Sequence, residues 1–160
     1  MKLKVKKLKW ANQPTPGHFK SESDIFKCDI SPEGIFYIVR INDIKVRSYA
    51  EAHLEQARGY ADEAFAEYMK WLAHEHLEFE GQKFKVKELQ WDRRPIPGNL
   101  KSESNIFKCE IIPDNLAYVV KINNIKVVKK NSIEDAKYFA NKAFTKYMTW
   151  LAFEYLEFDE

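Results

Sequence analysis

Glycine and proline are scarce, five and six in 160 residues, too few for a disordered or low-complexity chain. Cysteine is scarcer still. Cys28 and Cys109 stand in matching strings, IFKCDI and IFKCEI, where strand alternation turns each inward, so they read as reduced, buried small hydrophobes. No apolar run approaches the roughly 18 residues of a membrane span. The opening MKLKVKKLKW alternates charge with apolar residues, unlike the continuous apolar stretch of a signal peptide. The expectation is a cytoplasmic protein with no membrane partner.

Motifs of catalysis are missing too. The chain has no Cys-x-x-Cys, His-Glu-x-x-His, Gly-rich phosphate loop or Gly-x-Ser-x-Gly, which removes the spacings that hold zinc, cradle phosphate or present a nucleophilic serine. The four histidines, His18, His53, His74 and His76, all lie in the first half. Two residues apart on a helix, His74 and His76 diverge and do not share a metal. The expectation is a non-enzyme with no catalytic residue, no metal, no cofactor and no evident small-molecule ligand.

What is present is a duplication. Residues 5–48 and 86–129, at an offset of 81, give 24 identities in 44 positions by direct count. Residues 57–80 and 136–159, at an offset of 79, give 13 in 24. The matches include Trp10/Trp91, the Pro-x-Pro-Gly ending at Gly17/Gly98, Lys-Ser-Glu-Ser beginning at Lys20/Lys101, and Trp71-Leu72-Ala73/Trp150-Leu151-Ala152. A period near 80 exceeds the 20 to 50 residues of solenoid repeats, so 1–80 and 81–160 read as duplicated domains. Capping-box spacing suggests Ser48 with Glu51, and Asn131 with Glu134, as helix starts. On that reading the second helix begins about a turn later, after a linker about two residues longer.

Within each copy the pattern predicts a first strand near 3–10 (84–91), then a loop with two prolines and a glycine. A half-buried strand follows over 24–30, in which Phe26, Cys28 and Ile30 alternate with Lys27 and Asp29. Ser31-Pro32-Glu33-Gly34 reads as a turn and 35–41 as a strand. Asn42-Asp43 (Asn123-Asn124) reads as a two-residue hairpin turn, since both residue types tolerate positive φ, and 44–46 as a short return strand. Leu54, Ala57, Ala61, Phe65, Tyr68 and Leu72 then recur at three- and four-residue spacing. The predicted class is α+β: a tandem β-β-β(-β)-α unit, each antiparallel sheet covered on one face by one long helix.

Charge is segregated beneath a net value of +2. Residues 1–47 carry ten Lys/Arg against five Asp/Glu and 48–80 two against eight; 81–130 carry eleven against five and 131–160 three against six. Strand alternation places Lys27, Arg40, Lys45, Arg47, Lys108, Lys121 and Lys126 on the sheet face away from the helix, where they would attract phosphate or another acidic partner. Glu51, Glu55, Asp62, Glu63, Glu67 and Glu75 make an acidic helix face for a basic partner. It weakens in the second copy, where Lys142 and Lys146 replace Glu63 and Glu67. Lys20, Ser21, Glu22 and Ser23, with Lys101, Ser102, Glu103 and Ser104, read as loop contacts retained in both copies.

The tryptophan followed by Tyr37-Ile38-Val39 or Tyr118-Val119-Val120, and then by Ile133-Glu134-Asp135-Ala136-Lys137, resembles small domains widespread in phage and mobile-element proteins, some of anti-defence or anti-CRISPR type. Lys129-Lys130 ahead of Ala136-Lys137 is similar to the sheet-to-helix passage of double-stranded-RNA-binding domains, and the strand order to integrase-arm DNA-binding domains. No helix precedes the sheet here, so no family's functional residues are carried over. The phage-type resemblance implies a protein partner, with inhibition of a host defence complex in the host cytoplasm. Nucleic acid on the basic sheet faces is the alternative.

Overall fold

In the computed structural model, residues 3–12, 19–22, 26–50, 53–93, 99–103 and 106–158 are described. The class is α+β, with antiparallel sheets and two long helices. In chain order the first copy gives β1 (Leu3–Val5), β2 (Ala11–Asn12), β3 (Phe19–Glu22), β4 (Lys27–Glu33), β5 (Phe36–Ile41), β6 (Ile44–Ala50), α1 (Leu54–His76) and β7 (Leu77–Glu80). The second gives β8 (Lys83–Val86), β9 (Asp92–Arg93), β10 (Leu100–Glu103), β11 (Lys108–Asp114), β12 (Ala117–Ile122), β13 (Ile125–Lys130), α2 (Ile133–Tyr155) and β14 (Leu156–Phe158). Strands β2 to β6 form one five-stranded antiparallel meander and β9 to β13 another.

The compact units are Met1–Glu75 with Tyr155–Glu160, and His76–Glu154. They differ from the sequence repeats 1–80 and 81–160 by an exchange. The strand after α2, β14, pairs with β1 in the first unit, and the strand after α1, β7, pairs with β8 in the second. Each exchanged strand is led in by a ring on the other copy's helix phenylalanine. Tyr155 meets Phe65 edge-on, centroids 5.3 Å apart, and His76 meets Phe144 in the same way at 5.3 Å. His76 is thus a packing counterpart of Tyr155, while His53 and His74 are exposed and His18 lies outside the described residues.

The helices bury one stripe each: Ala57, Ala61, Phe65, Met69, Leu72 and Ala73 on α1, and the aligned Ala136, Ala140, Phe144, Met148, Leu151 and Ala152 on α2. Paired alanines near the start of each helix leave little side-chain bulk between helix and sheet, and the larger residues fill the space beyond. Against them stand Cys28, Ile30 and Val39, and in the second unit Cys109, Ile111 and Val120.

Several boundaries differ from the predicted ones. The first strand is three residues long and lies outside the five-stranded sheet. Strand β4 runs through Pro32 to Glu33, and the turn is Gly34-Ile35, with φ +63° at Gly34. Within β4, Pro32 stands opposite Tyr37 of β5. Ser48 lies inside β6, which extends to Ala50, so it caps no helix. The second helix is capped by Ser132, one residue past the expected Asn131: its Oγ accepts the Asp135 amide at 3.1 Å. The helices begin at aligned positions, Leu54 and Ile133, and the extra two residues fall in the first copy's junction, not the second's. The Asn42-Asp43 and Asn123-Asn124 turns are as predicted, with φ of 49°, 66°, 50° and 67°.

Candidate functional site

The basic sheet face is built by register. In the first unit Lys20 stands opposite Asp29, Asp29 opposite Arg40, and Arg40 opposite Lys45. In the second, Lys101, Glu110, Lys121 and Lys126 repeat the row. Paired residues share a face, and these alternate with the buried Cys28, Ile30 and Val39 or Cys109, Ile111 and Val120, so each row lies on the side away from the helix. Each holds three cations and one carboxylate.

The hairpin turn fixes a further lysine beside each row. Asn42 Oδ1 accepts the Lys27 amide at 3.0 Å and the Asn42 amide donates to the Lys27 carbonyl at 2.8 Å. Asn123 does the same for Lys108 at 3.0 and 2.8 Å. Lys27 and Lys108 therefore start their strands at a set distance from the turn, both exposed. In the second unit Lys101, Lys108, Glu110, Lys121 and Asn124 line a shallow recess of about 150 Å³.

Not all of this face is open. Ile38 and Val119 alternate onto it and are buried, 3% and 7% exposed. Arg40 donates to Ser31 Oγ at 2.8 Å and pairs with Glu33 at 3.4 Å, and Lys129 pairs with Asp114 at 3.0 Å. The accessible cations are thus at the Asn-turn end: Lys27, Lys45, Lys108 and Lys126.

Arg47 does not join them. A bulge between Val39 and Arg40 leaves Val46 without a register partner and sets Arg47 opposite Val39, on the helix side. There its guanidinium lies 5.1 Å from the Tyr49 ring centre and 5.2 Å from that of Tyr60 on α1. Strict alternation fails here because one inserted residue inverts every side chain beyond it.

The supposed loop contacts resolve differently. Lys20, Ser21 and Glu22 are strand residues of β3, as Lys101, Ser102 and Glu103 are of β10. Ser21 and Ser102 are 4% and 5% exposed and face Cys28 and Cys109. Small side chains fit over the thiols, which accounts for the retained serine without a ligand. Ser23 and Ser104 lie outside the described residues. Burial pushes both thiols up to about 12 from an ordinary 9.0, so they stay protonated and inert.

No protein-family model, curated protein or solved structure matches this chain. The acidic helix face is thinner than its sequence suggests. Asp62 Oδ1 accepts the Leu8 amide at 3.0 Å, a structural tie repeated by Asn141 and Leu89 at 2.9 Å. Glu55 pairs with Arg58 at 3.2 Å, and Glu51 lies outside the described residues. Glu63, Glu67 and Glu75 remain exposed. Among the described residues no three His, Cys, Asp or Glu side chains are grouped to hold a metal, and no helix is long and apolar enough to cross a membrane.

Sequence reasoning missed Lys20 and Lys101 as members of the rows. The signal was their offset from Asp29 and Glu110, legible only once a polar tetrapeptide is accepted as a strand.

Proposed function

We propose that this is a non-enzymatic binding protein whose two units each offer a basic sheet face to the phosphate backbone of nucleic acid. The observation that carries the reading is the repeated cross-strand row, Lys20-Asp29-Arg40-Lys45 and Lys101-Glu110-Lys121-Lys126, on the helix-free face of both sheets. Each row carries an excess of positive charge over its one carboxylate, and that excess releases counterions when phosphates replace them. Recognition is of backbone, not bases: among the described residues the one large ring alternating onto this face, Phe36, has Ala117 as its counterpart, so the described rows lack a common stacking platform.

The competing reading, a phage-type inhibitor of a defence complex acting through protein contact, draws on the acidic face of α1. With Asp62 tied to Leu8 and Glu55 to Arg58, and with Lys142 and Lys146 in the second copy, that surface has less to offer both units. The test is charge reversal at exposed positions. Lys27→Glu/Lys45→Glu combined with Lys108→Glu/Lys126→Glu is expected to weaken binding to a mixed-sequence oligonucleotide at least a hundredfold, with the fold intact by circular dichroism. Unchanged affinity would contradict the proposal, as would an absence of binding by the wild type near physiological salt.

A further inference from the structure

In the second unit the edge strand and the helix leave a hollow whose lining differs from the aligned residues of the first unit. At the first site Arg47 lies between Tyr49 and Tyr60, and Glu63 and Glu67 follow one and two turns along α1. At the aligned positions the second unit has Val128 for Arg47, Lys130 for Tyr49, Phe139 for Tyr60, Tyr138 for Gly59, and Lys142 and Lys146 for the two glutamates. The guanidinium between two rings is gone, the acids have become bases, and an extra ring has appeared. The second unit has here a cavity of about 360 Å³, lined by Lys130, Asp135, Tyr138, Phe139, Lys142 and Lys146 among others. That lies within the range of about 300–1,000 Å³ typical of small-molecule sites.

Its chemistry is specific in kind. Lys130 lies over the Phe139 ring, Nζ 5.5 Å from the centroid, and that cation–π contact fixes both groups. Lys142 and Lys146, one turn apart on α2, have no ion pair among the described residues and present two ammonium groups to the same hollow. Asp135 is the only acid of the lining, its amide held by Ser132. Tyr138 is 68% exposed, an aromatic face left without a burial role. Ammonium groups beside an open ring suit a ligand that carries an anion next to a flat aromatic system.

We infer that this hollow between β13 and α2 is a binding site for a nucleoside phosphate, with Tyr138 stacking on the base and Lys142 and Lys146 holding the phosphate. The site is on the helix side of the second sheet, apart from the outer rows, and stands whether or not those rows bind nucleic acid. The ligand is either a free nucleotide or an unstacked nucleotide of a single strand, and the two have the same chemistry at the site.

The test is an amide-resolved NMR titration of the full chain with adenosine 5′-monophosphate, adenosine, inorganic phosphate and a short deoxyadenosine strand. Saturable shifts at Tyr138, Phe139, Lys142 and Lys146 are expected, with adenosine and phosphate each at least tenfold weaker than the monophosphate. Saturation by the monophosphate assigns a free nucleotide; saturation by the strand alone assigns a strand nucleotide. Lys142→Glu/Lys146→Glu, which restores the first copy's charges, and Tyr138→Ala are each expected to weaken binding at least tenfold without altering the melting curve. Three results would overturn the site: no saturable shift at these amides with any probe, phosphate binding as tightly as the monophosphate, or affinity unchanged in both variants.

Discussion

At positions 62 and 141 a carboxylate and a carboxamide do one job, each accepting a backbone amide from the segment that follows β1 or β8, Leu8 or Leu89. The shared atom is Oδ1, so charge is incidental. Asp62→Asn is expected to leave stability within a few tenths of a kcal/mol of wild type, whereas Asp62→Ala, which leaves the Leu8 amide without its acceptor, is expected to cost about 1–3 kcal/mol. Urea denaturation of the two variants checks this. The cysteines give a pH dependence of known sign. Each thiol titrates near 9.0 when unfolded and near 12 when folded, so above pH 9 the unfolded chain releases protons that the folded one keeps. Stability is therefore whole below about pH 9 and is expected to fall as pH rises toward 12. Cys28→Ala/Cys109→Ala should flatten that limb, as read by denaturant midpoints against pH.

At the scale of elements, the hairpins between β5 and β6 and between β12 and β13 depend on two consecutive residues in the left-handed region. Asp43→Val places a β-branched side chain at φ 66° and is expected to cost about 1–2 kcal/mol; chemical denaturation against the wild type measures it. These turns were legible from Asn-Asp and Asn-Asn between alternating strands, as were the helices from their apolar spacing. The bulges were not, because Val46 and Val127 look like ordinary strand valines and an insertion changes register without changing composition. Strict alternation without the bulge puts Arg47 on the outer face. Strands β3 and β10 were hidden for another reason: a serine over a cysteine satisfies the core by size, and hydropathy does not register size.

At the scale of the whole molecule, the exchange of β7 and β14 makes each compact unit depend on chain from the far end of the other copy. The duplication itself carries no hint of this, because Leu77-Glu78-Phe79 and Leu156-Glu157-Phe158 are identical and either could serve either sheet. Deletion of 156–160 is expected to strip hydrogen-exchange protection from Leu3–Val5 and the Lys6 amide, which donates to Tyr155, while Lys83–Val86 keeps its protection. Loss at Lys83–Val86 instead would reverse the pairing. Two sheets presenting the same row also make binding divisible. The most direct measurement is the slope of log affinity against log salt for a mixed-sequence oligonucleotide, taken for the wild type and for Lys108→Glu/Lys126→Glu. A steep negative slope is expected, shallower in the variant by about one unit for each phosphate no longer neutralised. A wild-type slope near zero, or one that the double reversal leaves unchanged, would contradict it.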